Sequence, residues 1–219
     1  MKKDNNVAVV MKDGRVVEFS SEFQLNKKLT ITVPKGFFAI AYIEGKATIK
    51  IQECSNKPVY NSDFGKMYLN KKIKFAYCRI KSLNEINFGF GPVNVNNERL
   101  KEAYRVGVNG HIRAEINNFI KLIEYFQVKS IISLEDIREV VLPSIKAIGT
   151  QVLSTCFAYS NVSVFEIDSQ LIEIRDNITE GLKQEPIFNK LGLLVDMVHV
   201  NPIYVNESDL ELIRNRING

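Results

Sequence analysis

The stretch FGFGPVNVNNERLKEAYRVGVNGHIRAEI, residues 88–116, decides how this chain folds. Gly89 and Gly91 sit one residue apart, close behind a strand-like run, which raises the question of a phosphate-cradling loop. A dinucleotide loop needs a third glycine at position 94, free amides aimed at phosphate, and a helix directly behind. Asn94 stands at that position, Pro92 has no amide, and a strand pattern follows. The glycines are therefore read as serving backbone geometry in a turn. The turn leads into a short strand and then a longer one, residues 101–116.

Working outward, the two sides of this stretch differ in period. Upstream, short alternating runs are broken by turn chemistry. VAVVM and RVVEF flank Lys12-Asp13-Gly14, LTITV ends at Pro34-Lys35-Gly36, and FFAIAYI and KATIKIQ flank Glu44-Gly45. The first and last pairs read as hairpins, so this half is expected to be mainly antiparallel sheet. Downstream of Asn118 the apolar spacing becomes helical. Phe119, Leu122, Ile123 and Phe126 make one stripe. Ser133 and Asp136 form a capping signal ahead of a helix carrying Ile137, Val141, Ile145, Ile148 and Val152, with Pro143 expected to kink it. Ser163 and Glu166 repeat the capping signal. Another helix is expected with Leu171, Ile174, Ile178 and Leu182 inward, bent at Pro186 and stopped near Gly192. LLVDMVHVNPIYV then reads as a strand apolar on both faces, and Asn206 to Asp209 caps a last helix. The expected fold class is α+β, with a β-rich subdomain over 1–84 and an α/β domain over 85–219.

Composition narrows the function. With 219 residues, 45% hydrophobic and 25% charged, the chain is an ordinary globular sequence that can bury a core. Val7–Met11 is too short for a signal peptide, and the longest apolar run, Phe37–Ile43, falls well below the roughly 20 residues that span a bilayer. Cys54, Cys78 and Cys156 are far apart, so neither a disulfide framework nor a thiolate metal site is indicated. A reducing cytoplasm is the expected setting, and no cofactor is expected. Catalytic signals are equally thin. His111 and His199 both fall inside strand-like segments with no nucleophile or metal-ligand spacing around them, and a buried or half-buried imidazole is expected for His199. Asp63-Phe64-Gly65 resembles a kinase metal triplet but lacks the motifs that would accompany it.

Charge is unevenly divided. Residues 1–98 hold 16 Lys/Arg against 9 Asp/Glu, while residues 99–219 hold 13 against 16. The densest basic segment, residues 66–81, interleaves cations with Tyr68, Phe75 and Tyr77. Its Lys71, Lys72, Lys74, Arg79 and Lys81 are the candidate contacts for an anionic surface, either membrane headgroups or, in the alternative reading, a nucleic acid or other anionic polymer. Nucleic acid is the less favoured of these because the pI of 8.8 is low for such a domain. The blander reading of the segment is a hairpin with rings inward and lysines in water.

The order of features resembles the SPFH domain family, the stomatin, prohibitin and flotillin group also called Band 7 or PHB, and most closely its bacterial virion-core-protein-like branch. Gly91-Pro92-Val93, Arg105-Val106 and Gly110-His111-Ile112-Arg113 occupy the places of that branch's glycine-proline turn and charged strand. His111 stands where an aromatic is usual, and Asn117-Asn118 where the branch has Asp-Pro. VPKGFFAIAYIEGKA resembles its upstream hairpin, and LGLLVDMVHVNPIYVNESDLELIRNR its closing strand and helix. The resemblance spans residues 29–216. It implies a non-enzymatic scaffold that self-associates and recruits protein partners, peripheral to the inner face of an anionic membrane. Leu210, Ile213 and Ile217 on the last helix, with Arg105 and Arg113 on the long strand, are the candidate self-association residues; the last helix docking on its own domain is the alternative for those three.

Overall fold

The computed structural model describes residues 6–60, 63–80, 85–127, 129–158 and 160–218. In chain order they form β1 (Asn6–Val7), β2 (Arg15–Phe19), β3 (Phe23–Gln24), β4 (Thr30–Val33), β5 (Phe37–Ile43), β6 (Lys46–Ile51), β7 (Cys54–Pro58), α1 (Asp63–Met67), β8 (Lys72–Arg79), β9 (Ile86–Asn97) and β10 (Glu102–Ile116). There follow α2 (Phe119–Tyr125), β11 (Ile131–Ser133), α3 (Leu134–Ala158), a 3-10 segment (Val164–Gln170), α4 (Leu171–Gln184), α5 (Pro186–Lys190), β12 (Leu193–Val200), β13 (Tyr204–Val205) and α6 (Glu207–Asn218). The fold is α+β, and it divides into two compact units. The first is Met1–Ser82 with Phe119–Ile137, the second Leu83–Asn118 with Arg138–Gly219. Residues 119–137 group with the first unit because β11 pairs with β2 and Phe119 packs edge-on against Phe38, 5.0 Å between ring centres.

The first unit is built on a sheet ordered β11-β2-β8-β5-β6, with β3 also on β8, and a smaller sheet ordered β1-β4-β7. Alternation along β5 and β8 sends Ala39, Ala41, Ile43, Ile73, Phe75 and Tyr77 to one side, where they meet Leu29, Ile31 and Val33 in a closed apolar core. The opposite side is also covered. Phe38, Ile40 and Cys78 are buried there, as are Leu122 and Ile123 of α2. The Glu44-Gly45 hairpin forms as the sequence implies, both residues at positive φ (49° and 78°) and Ile43 paired with Lys46. The first expected hairpin does not. Lys12 to Arg15 makes the turn, but β1 pairs in parallel with β4 while β2 pairs with β8 and β11, so the two arms enter different sheets. Asp63-Phe64-Gly65 opens α1. A Cβ at Gly65 would lie 2.4 Å from the Tyr60 backbone, so close chain approach requires the glycine.

The second unit centres on β10, whose residues alternate buried and outward over its whole length. β9 lies on one edge, and β12 then β13 on the other. The FGFGP stretch is part of β9, where the register shifts opposite Val106 to Val108; the expected turn is a bulge within a continuous strand. Gly110 allows β12 to come close, since a Cβ there would sit 2.0 Å from the His199 carbonyl oxygen. Helices cover one face of this sheet. α3 buries Val141, Ile145, Leu153 and Phe157, and α4 buries Ile174, Ile178 and Leu182. The Ser133–Asp136 capping box forms reciprocally: the Asp136 amide donates to Ser133 Oγ at 3.1 Å, and the Ser133 amide to Asp136 Oδ2 at 2.7 Å. Ser163 does not cap in the same way; its hydroxyl donates to the buried Glu102 carboxylate, which also accepts the Val164 amide at 3.1 Å. By length and composition α3 is one helix apolar enough to cross a membrane, with 28% of its most apolar window buried in the protein. Sequence reading by runs misses this because Pro143 and Lys146 interrupt the apolar positions.

Candidate functional site

The basic residues singled out in the first unit are held by their neighbours. Lys71 reaches Glu44 at 2.7 Å and Lys72 reaches Glu22 at 2.9 Å. The Lys71 hydrogen bond and charge hold the Glu44 carboxyl below its usual range. Lys74 lies 4.4 Å from the centre of the Phe19 ring. Arg79 donates to the Lys12 carbonyl at 3.2 Å and lies 3.9 Å from Asp13. Lys81 is outside the described residues. Phe75 and Tyr77 are wholly buried and Tyr68 packs half-buried against Phe64, so the rings of this segment face inward.

The self-association candidates sit in the second unit in three different situations. Ile213 is buried, Leu210 is half-buried and Ile217 is 64% exposed. Arg105 fastens α6: its amide and Nε both donate to Asp209 Oδ2, at 2.8 and 3.0 Å, and its carbonyl accepts the Asn206 amide. This bidentate contact holds the Asp209 carboxyl below its usual range. Arg113 lies 3.8 Å from Asp196 on the neighbouring strand.

Arg113 belongs to the face of the second unit's sheet that lies opposite α3 and α4. β12 is expected to be buried on both sides, but Leu194, Met197 and His199 are exposed because α4 and α5 cover only its other side. Register places these residues beside β10. His199 stands opposite His111, Met197 opposite Arg113, and Leu194 opposite Glu115, while Tyr204 of β13 stands opposite Gly107. The two imidazoles stack with centres 4.9 Å apart, so His199 is a surface group and not a core histidine. Leu194, Met197 and Tyr204 are 55%, 39% and 62% exposed. Sequence reasoning passed over all three. The signal lay in the alternation of LLVDMVHV, which also fits an edge strand covered on one side.

Three clefts accompany these surfaces. One of about 590 Å³ at the end of the second unit's sheet is lined by Glu115, Asn117, Lys183, Phe188 and Asp196. A second, about 520 Å³, runs between Gly89–Asn94 of β9 and Lys146, Thr150 and Ser154 of α3. The third, about 290 Å³ in the first unit, is mostly apolar and includes Ile31, Ile51, Val59 and Phe64. Among the described residues no three His, Cys, Asp or Glu side chains cluster as metal ligands would. The buried Tyr42 and Tyr104 hydroxyls have no hydrogen-bond partner among the described residues, and burial pushes both up, Tyr42 to about 12. Both stay protonated near neutrality, as does the buried Cys78 thiol. No known protein family's profile matches this chain, and no curated protein matches it.

Proposed function

We propose that this protein is a non-enzymatic, SPFH-like assembly module that self-associates and recruits protein partners. The observation that carries the proposal is the uncovered sheet face of the second unit, which presents Leu194, Met197 and Tyr204 around the stacked His111 and His199. On this face the apolar groups alternate with Arg113, Glu115 and Asp196, the mixture of apolar and charged side chains that a non-obligate protein contact uses. The succession of hairpin, long helix, second helix and returning strand also supports the reading. On the same proposal, the first unit would face an anionic membrane, since it holds 18 Lys/Arg against 10 Asp/Glu.

Light scattering on the eluting protein across a concentration series tests the central claim. A species heavier than the 25.0 kDa chain is expected, returning to monomer in a Leu194→Asp, Met197→Glu double variant. A monomer at every concentration sinks self-association. For the membrane arm, sedimentation with phosphatidylserine vesicles is compared between wild type and a Lys71→Glu, Lys72→Glu, Lys74→Glu variant. Equal sedimentation removes that contact.

A further inference from the structure

The open face holds one group of side chains that self-association does not call on. β10 sends every second residue from Arg105 to Glu115 outward, and β12 does the same at Met197 and His199. In the register of the two strands His111 stands directly across from His199. Gly110 permits their closeness, because a Cβ on it would collide with the His199 carbonyl. The two rings lie 4.9 Å apart with 24° between their planes, and among the described residues neither ring spends a nitrogen on a hydrogen bond. Two imidazoles bound side by side to one metal ion, each at about 2.0 to 2.1 Å, have centres about 4.5 to 5 Å apart. The pair therefore has the spacing of two ligands before any ion arrives. Each ring needs only to turn about its own bond to aim a nitrogen at a shared point.

A third donor lies beside them. Met197 precedes His199 by two residues, so it shares the face and stands about 7 Å away along the strand. It is opposite Arg113, two residues beyond His111, which makes it the diagonal neighbour of His111 as well. At 39% exposure and with three rotatable bonds, its thioether can swing towards either ring. The surroundings set the character of this triangle. Asn87 is across from His111 on β9, and beyond the pair the Asn201 side-chain amide donates to the Asn109 side-chain oxygen. Asp196, next to Met197 in the chain, is engaged by Arg113 at 3.8 Å. The donors left over are two imidazole nitrogens and one sulfur, with a guanidinium close by.

We infer that His111, Met197 and His199 bind one copper ion in its +1 state. Donor softness decides the metal. A thioether selects Cu(I) and imidazole accepts it, whereas Mg²⁺ and Ca²⁺ want carboxylate and carbonyl oxygens. Zinc is answered less well, since its structural sites take four ligands drawn from thiolate, imidazole and carboxylate. Charge points the same way, because Arg113 opposite Met197 repels a single positive charge half as strongly as a double one. The chain's own thiols offer one donor each: Cys54, Cys78 and Cys156 are far apart in sequence, and burial pushes the Cys78 and Cys156 thiols up, towards the protonated form that does not bind metal. All three ligands come from one chain, so the site does not rest on self-association.

The probe is Cu(I), added without oxygen as its tetrakis-acetonitrile salt. The protein carries Cys54→Ser and Cys156→Ser, which remove the two half-buried thiols, and is kept at a dilution where light scattering finds the monomer. One equivalent should move the ring signals of His111 and His199 and the methyl signal of Met197 in NMR spectra, while the Met11 and Met67 methyls stay in place. Competition with bicinchoninate should return one Cu(I) per chain. Met197→Leu should weaken binding at least tenfold and His199→Gln at least a hundredfold. Both side chains are exposed, so neither change disturbs the fold. Zn²⁺ in place of Cu(I) should bind at least tenfold more weakly and be indifferent to Met197→Leu. The inference is overturned if Cu(I) leaves the three signals unmoved, if Met197→Leu binds it as tightly as its parent, or if one ion is shared by two chains.

Discussion

The two units solve the same problem, what to do with a twisted sheet, in opposite ways. In the first, both faces of the central sheet are buried, one by the smaller sheet and one by α2. In the second, helices lie on one face and the other meets solvent with Leu194, Met197, His111 and His199 upon it. Side chains on the covered sheet are committed to packing, and several of its cations to carboxylates and rings. Side chains on the open sheet are held only by lateral pairs such as Arg113 with Asp196 and His111 with His199. Function is therefore to be sought where the fold makes the fewest demands on residue type.

That contrast predicts the largest difference between two truncations of apolar residues. Phe75 is wholly buried between the sheets of the first unit, so Phe75→Ala removes a ring and leaves a cavity, at a cost of about 4 kcal/mol. Leu194→Ser acts on a side chain that is 55% exposed in the single chain and, at protein concentrations too low for self-association, should change stability by no more than about 0.5 kcal/mol. Urea unfolding of both variants measures the pair. A loss for Leu194→Ser that appears only as protein concentration rises would mark the proposed self-association; a large loss at every concentration would mean that the chain itself covers this face.

Next in size is an addition of one carbon. Gly110→Ala places a methyl where the His199 carbonyl stands 2.0 Å away, and backbone atoms of a paired strand cannot move aside without breaking the ladder. A loss of about 3 kcal/mol is expected, in the range of overpacking. Gly107→Ala is the control on the same strand, where the nearest atoms are 3.8 Å away, and it should be nearly neutral by the same measurement. Comparable losses for the two would show that β12 does not approach β10 this closely.

Much of the fold is legible in the sequence wherever one local interaction decides the outcome. Glu44-Gly45 dictates a hairpin by backbone conformation, and Ser133 with Asp136 dictates a helix start by hydrogen bonding. The alternation of β10 survives because a single face is buried throughout. Legibility stops where the partner lies far along the chain. Of VAVVM only Val7 lies in a strand, and its parallel pairing with β4, like the pairing of RVVEF with β8, is something local pattern does not name. Ser163 carries a capping signal, but the distant Glu102 takes its hydroxyl. Of the candidate site, the residue types were visible but their exposure was not, because LLVDMVHV reads alike for a strand covered once or twice.

Removing the capping box offers a smaller test of the local rule. Asp136→Ala takes away the acceptor for the Ser133 amide and hydroxyl and the partner of Lys129. The expected loss is about 1 kcal/mol, typical of a helix cap. Hydrogen exchange should show faster exchange confined to the first turns of α3, since one end of a helix frays without its cap. Uniformly faster exchange across the first unit would assign Asp136 a role beyond capping.

The smallest effect concerns the tie that holds α6 to the open sheet. The Arg105 hydrogen bond keeps the Asp209 carboxyl below its ordinary value, against a weaker opposing effect of burial. An unfolded aspartate titrates near 4, so the folded form stays ionised at a pH where the unfolded form takes up a proton. The stabilisation is therefore complete above about pH 4 and disappears as pH falls through the lower folded value. Because the Arg105 side chain is 45% exposed, solvent screens the pair and the effect is modest. The protection of α6 amides, taken relative to their intrinsic exchange rate at each pH, should fall below pH 4 in the wild type. Asp209→Asn should already be less protected at pH 6 and lose little more on further acidification, because the group that titrates is gone. If both proteins respond alike to acid, the docking of α6 rests on buried Ile213 and not on the ion pair.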